Sequence, residues 1–479
     1  MLLRSGLRPA ALTGLAMLSA CAVGPHYTPP TPPQAHAFVN AQLLPARTVE
    51  DPNPALDSWW VAFNDAELTS LIHRALTQNL DLAQADARLT QARAQAKAAG
   101  AALAPAGQLN GQAEYESQSL ESPSARTEEA FPGFRRYQKL YDVGIGASWE
   151  PDLFGGLRRA AQAARAQYEA SEAAHAAARI AVVAETADQY LQVRALQAQL
   201  ATTLEAATIQ DRLTALTRLQ YEHGIVARSQ FDQSEAAREA AKAPILALRS
   251  GLEAATVALE VLTGATPGSL HAELAQPSGI PRAPRLEAIG GPASLLRRRP
   301  DLIAAERTLA ASNARIGAAI ADYYPKVTLS GVLGYEASDI GQLAGPATFQ
   351  PQGIVGVRWR LFDFGRVDAE VAAARGARAE ALAAYRLSVL KATGDVETAL
   401  AALAHNQDQA LALTASETAL CRARDAVQAS RDAGRASMAE VLEANARVLE
   451  QRDQRIVAEV SASRAAVSVF RALGGGWTS

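Results

Sequence analysis

A mostly α fold with a small β part, organised as long helical hairpins, is what this sequence predicts. Three observations carry that reading. The run from Leu157 to His223 contains neither glycine nor proline, and at ~1.5 Å of rise per residue it can form a helix on the order of 100 Å long. The segment leading into it, Trp149-Glu150-Pro151-Asp152-Leu153-Phe154-Gly155, returns as Trp359-Arg360-Leu361-Phe362-Asp363-Phe364-Gly365 before a second Ala-rich stretch. That is an internal repeat at an offset of roughly 210 residues. Four short segments also alternate in polarity with the period of strands. A soluble globular domain rarely holds helices of this length, so a duplicated strand-then-helix unit points to an elongated assembly.

Composition agrees with close helix packing. Alanine dominates, aromatics make up 5% and charged residues 20%, which suits helices that approach through small side chains. A net charge of −3 with both signs interspersed leaves no electrostatic footprint for nucleic acid. Cys21 and Cys421 lie in different contexts and are not expected to pair. Cys421, in a helical run beside Leu420, reads as a small packed residue.

The chain opens with Arg4 and Arg8 ahead of a short apolar stretch, Ala10 to Leu18. It is too short to span a bilayer and has the form of a signal-peptide core. Leu18-Ser19-Ala20-Cys21 then resembles the bacterial lipobox, in which the cysteine is acylated and becomes the new N-terminus. That gives a signal peptide over 1–20 and a lipid anchor on Cys21, with two or more acyl chains needed for stable attachment. In lipobox proteins alanine after the cysteine, as at Ala22, goes with release to the outer membrane. A proline-rich, extended leader follows over 21–58.

Regular structure is expected from near Trp59. Leu68, Leu71, Ile72, Ala75 and Leu76 follow helical spacing, and Asn79-Leu80-Asp81-Leu82 opens a further helix to about Leu103. Its counterpart in the second half is Arg299-Pro300-Asp301-Leu302, with proline at the first turn of a helix. The halves so defined are 59–270 and 299–479, joined by a linker over 271–298 and intertwined as one domain. Strand-like alternation falls on Leu109 to Tyr115, Tyr141 to Trp149, Val327 to Tyr335 and Val355 to Leu361, with polar loops around 116–139 and 336–353. Segments of this kind with terminal aromatics build transmembrane β-barrels. Half-buried strands of a soluble sheet alternate in the same way, and the export signal favours the membrane. Four strands cannot close a barrel, and open edges are not tolerated in lipid; three copies of the chain supply twelve.

Each long helix ends at a glycine turn, Gly224-Ile225-Val226 in the first half and Gly434-Arg435-Ala436 in the second. A returning helix follows each turn, the first kinked by Pro244. The halves close at Leu262-Thr263-Gly264 and Leu473-Gly474-Gly475.

These segments together resemble the outer membrane factors of tripartite efflux systems, the TolC-type family and its lipoprotein branch. The resemblance rests on Cys21 to Pro25 with the proline-rich continuation, Trp59 to Asp65 and Asn79 to Leu82. Further support comes from Leu295-Leu296-Arg297-Arg298-Arg299-Pro300-Asp301-Leu302, Tyr324-Pro325, Trp359 to Arg366 and Val441 to Ala444. It covers nearly everything after the signal peptide. It implies a homotrimer with a trimeric α-barrel and a 12-stranded transmembrane β-barrel. The expected partners are a periplasmic adaptor (membrane fusion) protein and an inner-membrane resistance-nodulation-division pump. It further implies a periplasmic mouth at the two glycine turns, gated by acidic residues whose matching positions are Glu440 and Glu443, three apart on one helix face. Arg431 and Arg435 are the expected partners of such a ring, with Asp232 a weaker one. Two solvated surface carboxylates are the bland alternative. Arg297-Arg298-Arg299 reads as a solvated helix start or as a contact with a neighbouring protomer.

The sequence contains no phosphate loop, nucleophile elbow or metal-spaced His/Cys cluster, so neither catalysis nor a cofactor or metal is expected. The resulting expectation is a passive exit duct for small toxic compounds, driven by the pump. Protein secretion by a type I channel and a pore-free coiled-coil adaptor are the alternatives. The four strands and the whole-chain duplication weigh against the adaptor.

Overall fold

The computed structural model describes residues 22–31, 37–43, 56–128, 132–284 and 298–477. Helices predominate: α1 (Ala66–Gln78), α2 (Leu80–Ala101), a short α3 (Pro123–Glu128), α4 (Gly156–Glu222), α5 (Arg228–Ala240), α6 (Lys242–Leu262), α7 (His271–Leu274), α8 (Pro300–Ala321), α9 (Arg366–Asp432) and α10 (Met438–Ala472). Strands β1 (Ala106–Ser117), β2 (Tyr137–Trp149), β3 (Lys326–Ala337) and β4 (Phe349–Arg358) form one antiparallel sheet in sequence order. The long helices α4 and α9 are 67 residues each.

The chain divides into two compact units. One comprises the described residues of Met1–Pro29, Thr90–Ala170 and Glu306–Ala384 and holds the sheet. All four junctions between strands and helices lie at one end of that sheet, and the two hairpin loops lie at the other. The junctions are built twice in the same way. Trp149 Nε1 donates to Leu103 O and Trp359 Nε1 to Tyr323 O, both at 3.0 Å. Asp152 accepts the Leu157 and Arg158 amides at the start of α4, and Asp363 accepts those of Gly365 and Val367 at the start of α9. A carboxylate there satisfies amides that a helix leaves unpaired and complements its dipole. Ala166 packs against Ala310 and Ala311, so small side chains let the helices approach closely.

The first stretch of the leader is fastened to this unit. Val23 N donates to Phe154 O at 3.0 Å, Arg159 donates to the carbonyls of Val23 and Gly24, and Asn313 donates to Pro25 O. Tyr27 hydrogen-bonds Glu306. Gly24 lies so close to Gly317 that an added Cβ would meet its Cα at 2.4 Å.

The second unit comprises Pro30–Leu89, Ser171–Ala305 and Tyr385–Ser479. Its core gathers Trp59, Trp60, Leu68, Leu71 and Ile72 with Tyr190, Leu191, Leu259, Leu400 and Phe470. Trp59 stacks on Phe470 at 5.0 Å. Arg194 is buried with Glu67 and Tyr190, and burial raises the Tyr190 hydroxyl pKa. Asp65 caps α1 by accepting the Leu68 amide. The closing turns of the two halves repeat each other. Asn79 Nδ2 donates to Leu262 O, and Arg299 Nη1 to Ala472 O.

Three expectations are corrected, and the kink expected from Pro244 is located. Trp359 and Leu361 fall beyond β4, which begins at Phe349, and the loops are 118–136 and 338–348. Pro351 obscured the strand; within this chain β4 pairs on one side only, and proline is compatible with a strand position whose missing donor does not face its partner. The break in the first returning helix falls at Ala241, between α5 and α6. The Pro244 ring cannot donate to Ala240 O, so the chain yields before the proline. Regular structure starts earlier than Trp59, in 3-10 turns at Val39–Leu43 and Leu56–Phe63; the Val39 and Asn40 amides both donate to Glu397. Arg298 and Arg299 are engaged within the chain: partly exposed Arg298 pairs with Asp57, and the more buried Arg299 with Asp301 and Asp395. Arg297, Cys21 and the signal peptide lie outside the described residues.

Candidate functional site

Two regions are candidates, the sheet in one unit and the glycine turns in the other. In the sheet the register aligns like with like. Leu109, Ile145, Leu333 and Pro351 stand side by side, as do Gly111, Val143, Tyr335 and Phe349, and as do Trp149, Leu329 and Val355. One face is therefore apolar from the helix end up to the Tyr115–Lys139 row near the loops, because side chains alternate across a strand. It is also exposed: Leu109 is 74% accessible and Val355 72%. The opposite rows carry Gln108, Asn110, Gln112, Asp142, Glu336, Gln350 and Gln352 among glycines. Gly144 and Gly334 meet so closely there that a Cβ on either would approach the other's Cα to 3.0 Å. Tyr115 stacks on Tyr137, and Tyr335 leans on Phe349, at the loop end; Trp149 marks the helix end. Within this chain β1 and β4 each leave one edge unpaired.

At the turns, both helices end in the same hydrogen-bond pattern. Ile225 N donates to Gln220 O and Arg435 N to Ser430 O, each at 2.8 Å, with Gly224 and Gly434 both at φ +72°. Left-handed backbone at this position is where glycine avoids a Cβ clash. Gly224, Ile225, Gly434 and Arg435 are exposed, and Val226 and Ala436 half-buried.

Side chains distinguish the two turns. At the first, Tyr221 stacks on Phe231 at 5.5 Å, Arg218 lies over Phe231 and pairs with Glu235, and Arg228 lies over Tyr221 and pairs with Asp232. Asp232 is thereby engaged on its own helix. At the second turn, Ser437 Oγ accepts the Glu440 amide at 3.2 Å. Glu440 Oε2 in return accepts the Ser437 amide at 2.7 Å and its hydroxyl at 2.8 Å. Those bonds hold the Glu440 carboxyl below the usual range. Glu443 is exposed on the same helix face. Among the described residues Arg431, Arg435 and Glu443 form no ion pair within the chain, so the structure does not join the arginines to the two glutamates.

Sequence reasoning passed over the Tyr221–Phe231 clamp and Ser437. Ser-x-x-Glu is a capping-box signal that could have found the latter. Further from the turn, Arg452 bridges Glu205 on α4 and Glu417 on α9, and Arg455 also holds Glu417. Burial works against that carboxylate, but the two arginines keep its pKa lowered. Ile209, Leu442 and Leu449 close the apolar seam between α4 and α10.

Among the described residues no helix is long and apolar enough to cross a membrane, and no cluster of His, Cys, Asp and Glu could hold a metal ion.

A sheet with one bare apolar face, in a chain whose two long helices end in matching glycine turns, fits the class of outer membrane channel proteins. The sequence matches the outer membrane efflux protein family over residues 71–265 and 291–475, and the chain belongs to that family. It is 31% identical over 94% of both chains to the pyoverdine export outer membrane protein OpmQ of Pseudomonas putida. It is 28% identical over 96% of both to the cation efflux system protein CusC of Escherichia coli O6:H1. The solved structure of the outer-membrane channel OprN superposes with a TM-score of 0.83 at 30% identity, over 95% of this chain and all of that one. The protein is an outer membrane efflux channel, the exit duct through which a pump's cargo leaves the cell.

Proposed function

We propose that three copies of this chain close a twelve-stranded barrel in the outer membrane and continue it as a helical tunnel into the periplasm. The unpaired edges of β1 and β4, on a sheet with one apolar face, carry this reading. Such edges are untenable in lipid unless another chain pairs with them. β1 of one copy would join β4 of the next, turning apolar rows to lipid and glutamine-rich rows to the lumen. Cys21, acylated, would tether the leader to the same membrane. The turns at Gly224-Ile225-Val226 and Gly434-Arg435-Ala436 would meet a periplasmic adaptor protein, with an inner-membrane resistance-nodulation-division pump supplying the energy. The mouth there would be gated by Glu440 and Glu443 with Arg431 and Arg435 as countercharges, and Asp232 of the first half would add a further acid to it. Small toxic compounds are the cargo class this duct fits.

Single-particle imaging of the detergent-extracted mature protein tests the assembly. A threefold hollow cylinder with a barrel is expected. A solid rod, or a ring without a membrane-sized barrel, would sink the trimeric channel.

A further inference from the structure

The two hairpins differ at their loop ends in charge. From Val327 to Val357 the second hairpin contains no lysine or arginine, whereas the first carries Arg126, Arg135, Arg136 and Lys139. Arg126 is paired with Glu121. Arg135, Arg136 and Lys139 are exposed and make no ion pair among the described residues. Near the loops the pleat sets Lys139 apart from the strand carboxylates. Lys139 stands opposite Tyr115, in the row of Tyr141, Val143 and Ile145, on the apolar face. Glu114, Glu116, Asp142 and Glu336 occupy the opposite rows. Arg136 is further fixed at its backbone, where its carbonyl accepts the Gln118 amide at 2.8 Å. Its guanidinium lies 5.6 Å from the centre of the Tyr137 ring, itself stacked on Tyr115. A guanidinium attracted to a ring face retains its N–H donors for an anion.

We propose that this rim binds the phosphate-bearing headgroup of an anionic lipid in the outer leaflet, with the acyl chains lying along Tyr141, Val143 and Ile145. The proposal rests on the reading above that the apolar face meets lipid. Cations at a membrane surface attract anionic lipids, arginine matches phosphate in a bidentate fork, and tyrosine favours the interface where headgroups sit. The strand carboxylates Glu114 and Glu116 lie on the other face and Glu121 pairs with Arg126, while Glu128 and Glu129 of the same loop set the charge that the three cations must outweigh. The second hairpin, with its aromatics but no cation, would bind no such headgroup, leaving one site per chain.

The test is native mass spectrometry of the full chain in non-ionic detergent, titrated with diphosphorylated lipid A or with phosphatidylcholine. The wild type should retain lipid A in preference to phosphatidylcholine. The Arg135→Ser/Arg136→Ser/Lys139→Ser variant should lose that affinity by about a hundredfold, the combined effect of three surface cations. The charge-conserving Arg135→Lys/Arg136→Lys variant should keep most of it, which separates charge from folding. Equal lipid A retention by wild type and serine variant overturns the proposal. So does displacement of lipid A by equimolar inorganic phosphate, which would assign the rim to a free anion. A companion measurement isolates the underlying reading: tryptophan quenching in vesicles of tail-brominated phosphatidylcholine. Quenching without lipid A preference defeats the headgroup site alone; no quenching defeats the lipid-facing sheet and the site with it.

Discussion

Glu440 shows how one residue can serve a cap and still stand at a mouth. Its carboxylate is tied to Ser437 three positions earlier, on the first turn of α10. Replacing Ser437 with alanine should therefore destabilise that turn by about 1 kcal/mol, read as faster amide exchange over 438–442 with the rest of α10 unchanged. The same pair gives a pH dependence whose sign is fixed. The Glu440 pKa is lowered in the folded chain, so its contribution is full above the ordinary carboxylate value and disappears as pH falls through the lowered one. Protection at this turn, taken as exchange relative to the intrinsic rate at each pH, should fall on acidification in the wild type and change less in Glu440→Gln. The capping pair was legible from Ser-x-x-Glu spacing. The Tyr221–Phe231 clamp was not, because it joins residues on opposite sides of a turn with no periodic signal. Nor could the sequence tell a solvated Arg298 or Arg299 from one paired with Asp57 or Asp395, partners far away in the chain.

At the scale of elements, glycines that share a backbone conformation differ in what surrounds them. Gly224 and Gly264 both have positive φ. A Cβ on Gly224 meets nothing within 4 Å, whereas one on Gly264 would strike Gln78 O at 2.4 Å. Gly224→Ala should thus cost only the left-handed penalty of about 1 kcal/mol. Gly264→Ala should cost several times more and displace α1 from its core, compared as shifts in thermal midpoint. A larger effect at Gly224 would contradict this packing. The long helices were the most legible elements, since an uninterrupted Ala-rich run leaves few alternatives. β4 was the least, since Pro351 and Gly353 weaken its apolar row and Ile354 puts an apolar side chain in the polar row before Val355 resumes the alternation. A strand with one partner within its chain tolerates such residues, and local alternation cannot reveal how many partners a strand has.

For the whole molecule, the proposed gate gives the decisive experiment. In planar bilayers the double substitution Glu440→Ala/Glu443→Ala should raise the resting conductance, and Arg431→Ala should act in the same direction. Unchanged conductance in both would remove these residues from the gate, leaving Glu440 its role as a cap. The duplication was legible in sequence because the junction segments at Trp149 and Trp359 keep their order. The pairings that make the halves work alike, such as Asn79 to Leu262 O and Arg299 to Ala472 O, were not: asparagine and arginine share no residue type. The equal lengths of α4 and α9 bear on how such a chain can change. Removing one residue from a helix rotates every side chain beyond it by about 100°, so a deletion in α4 alone would set its seam against α10 out of phase. The hairpin loops 118–136 and 338–348 already differ in length without disturbing the strands. Insertions across lineages should therefore collect at those loops, while the helices can lengthen only in step and by amounts that restore their phase.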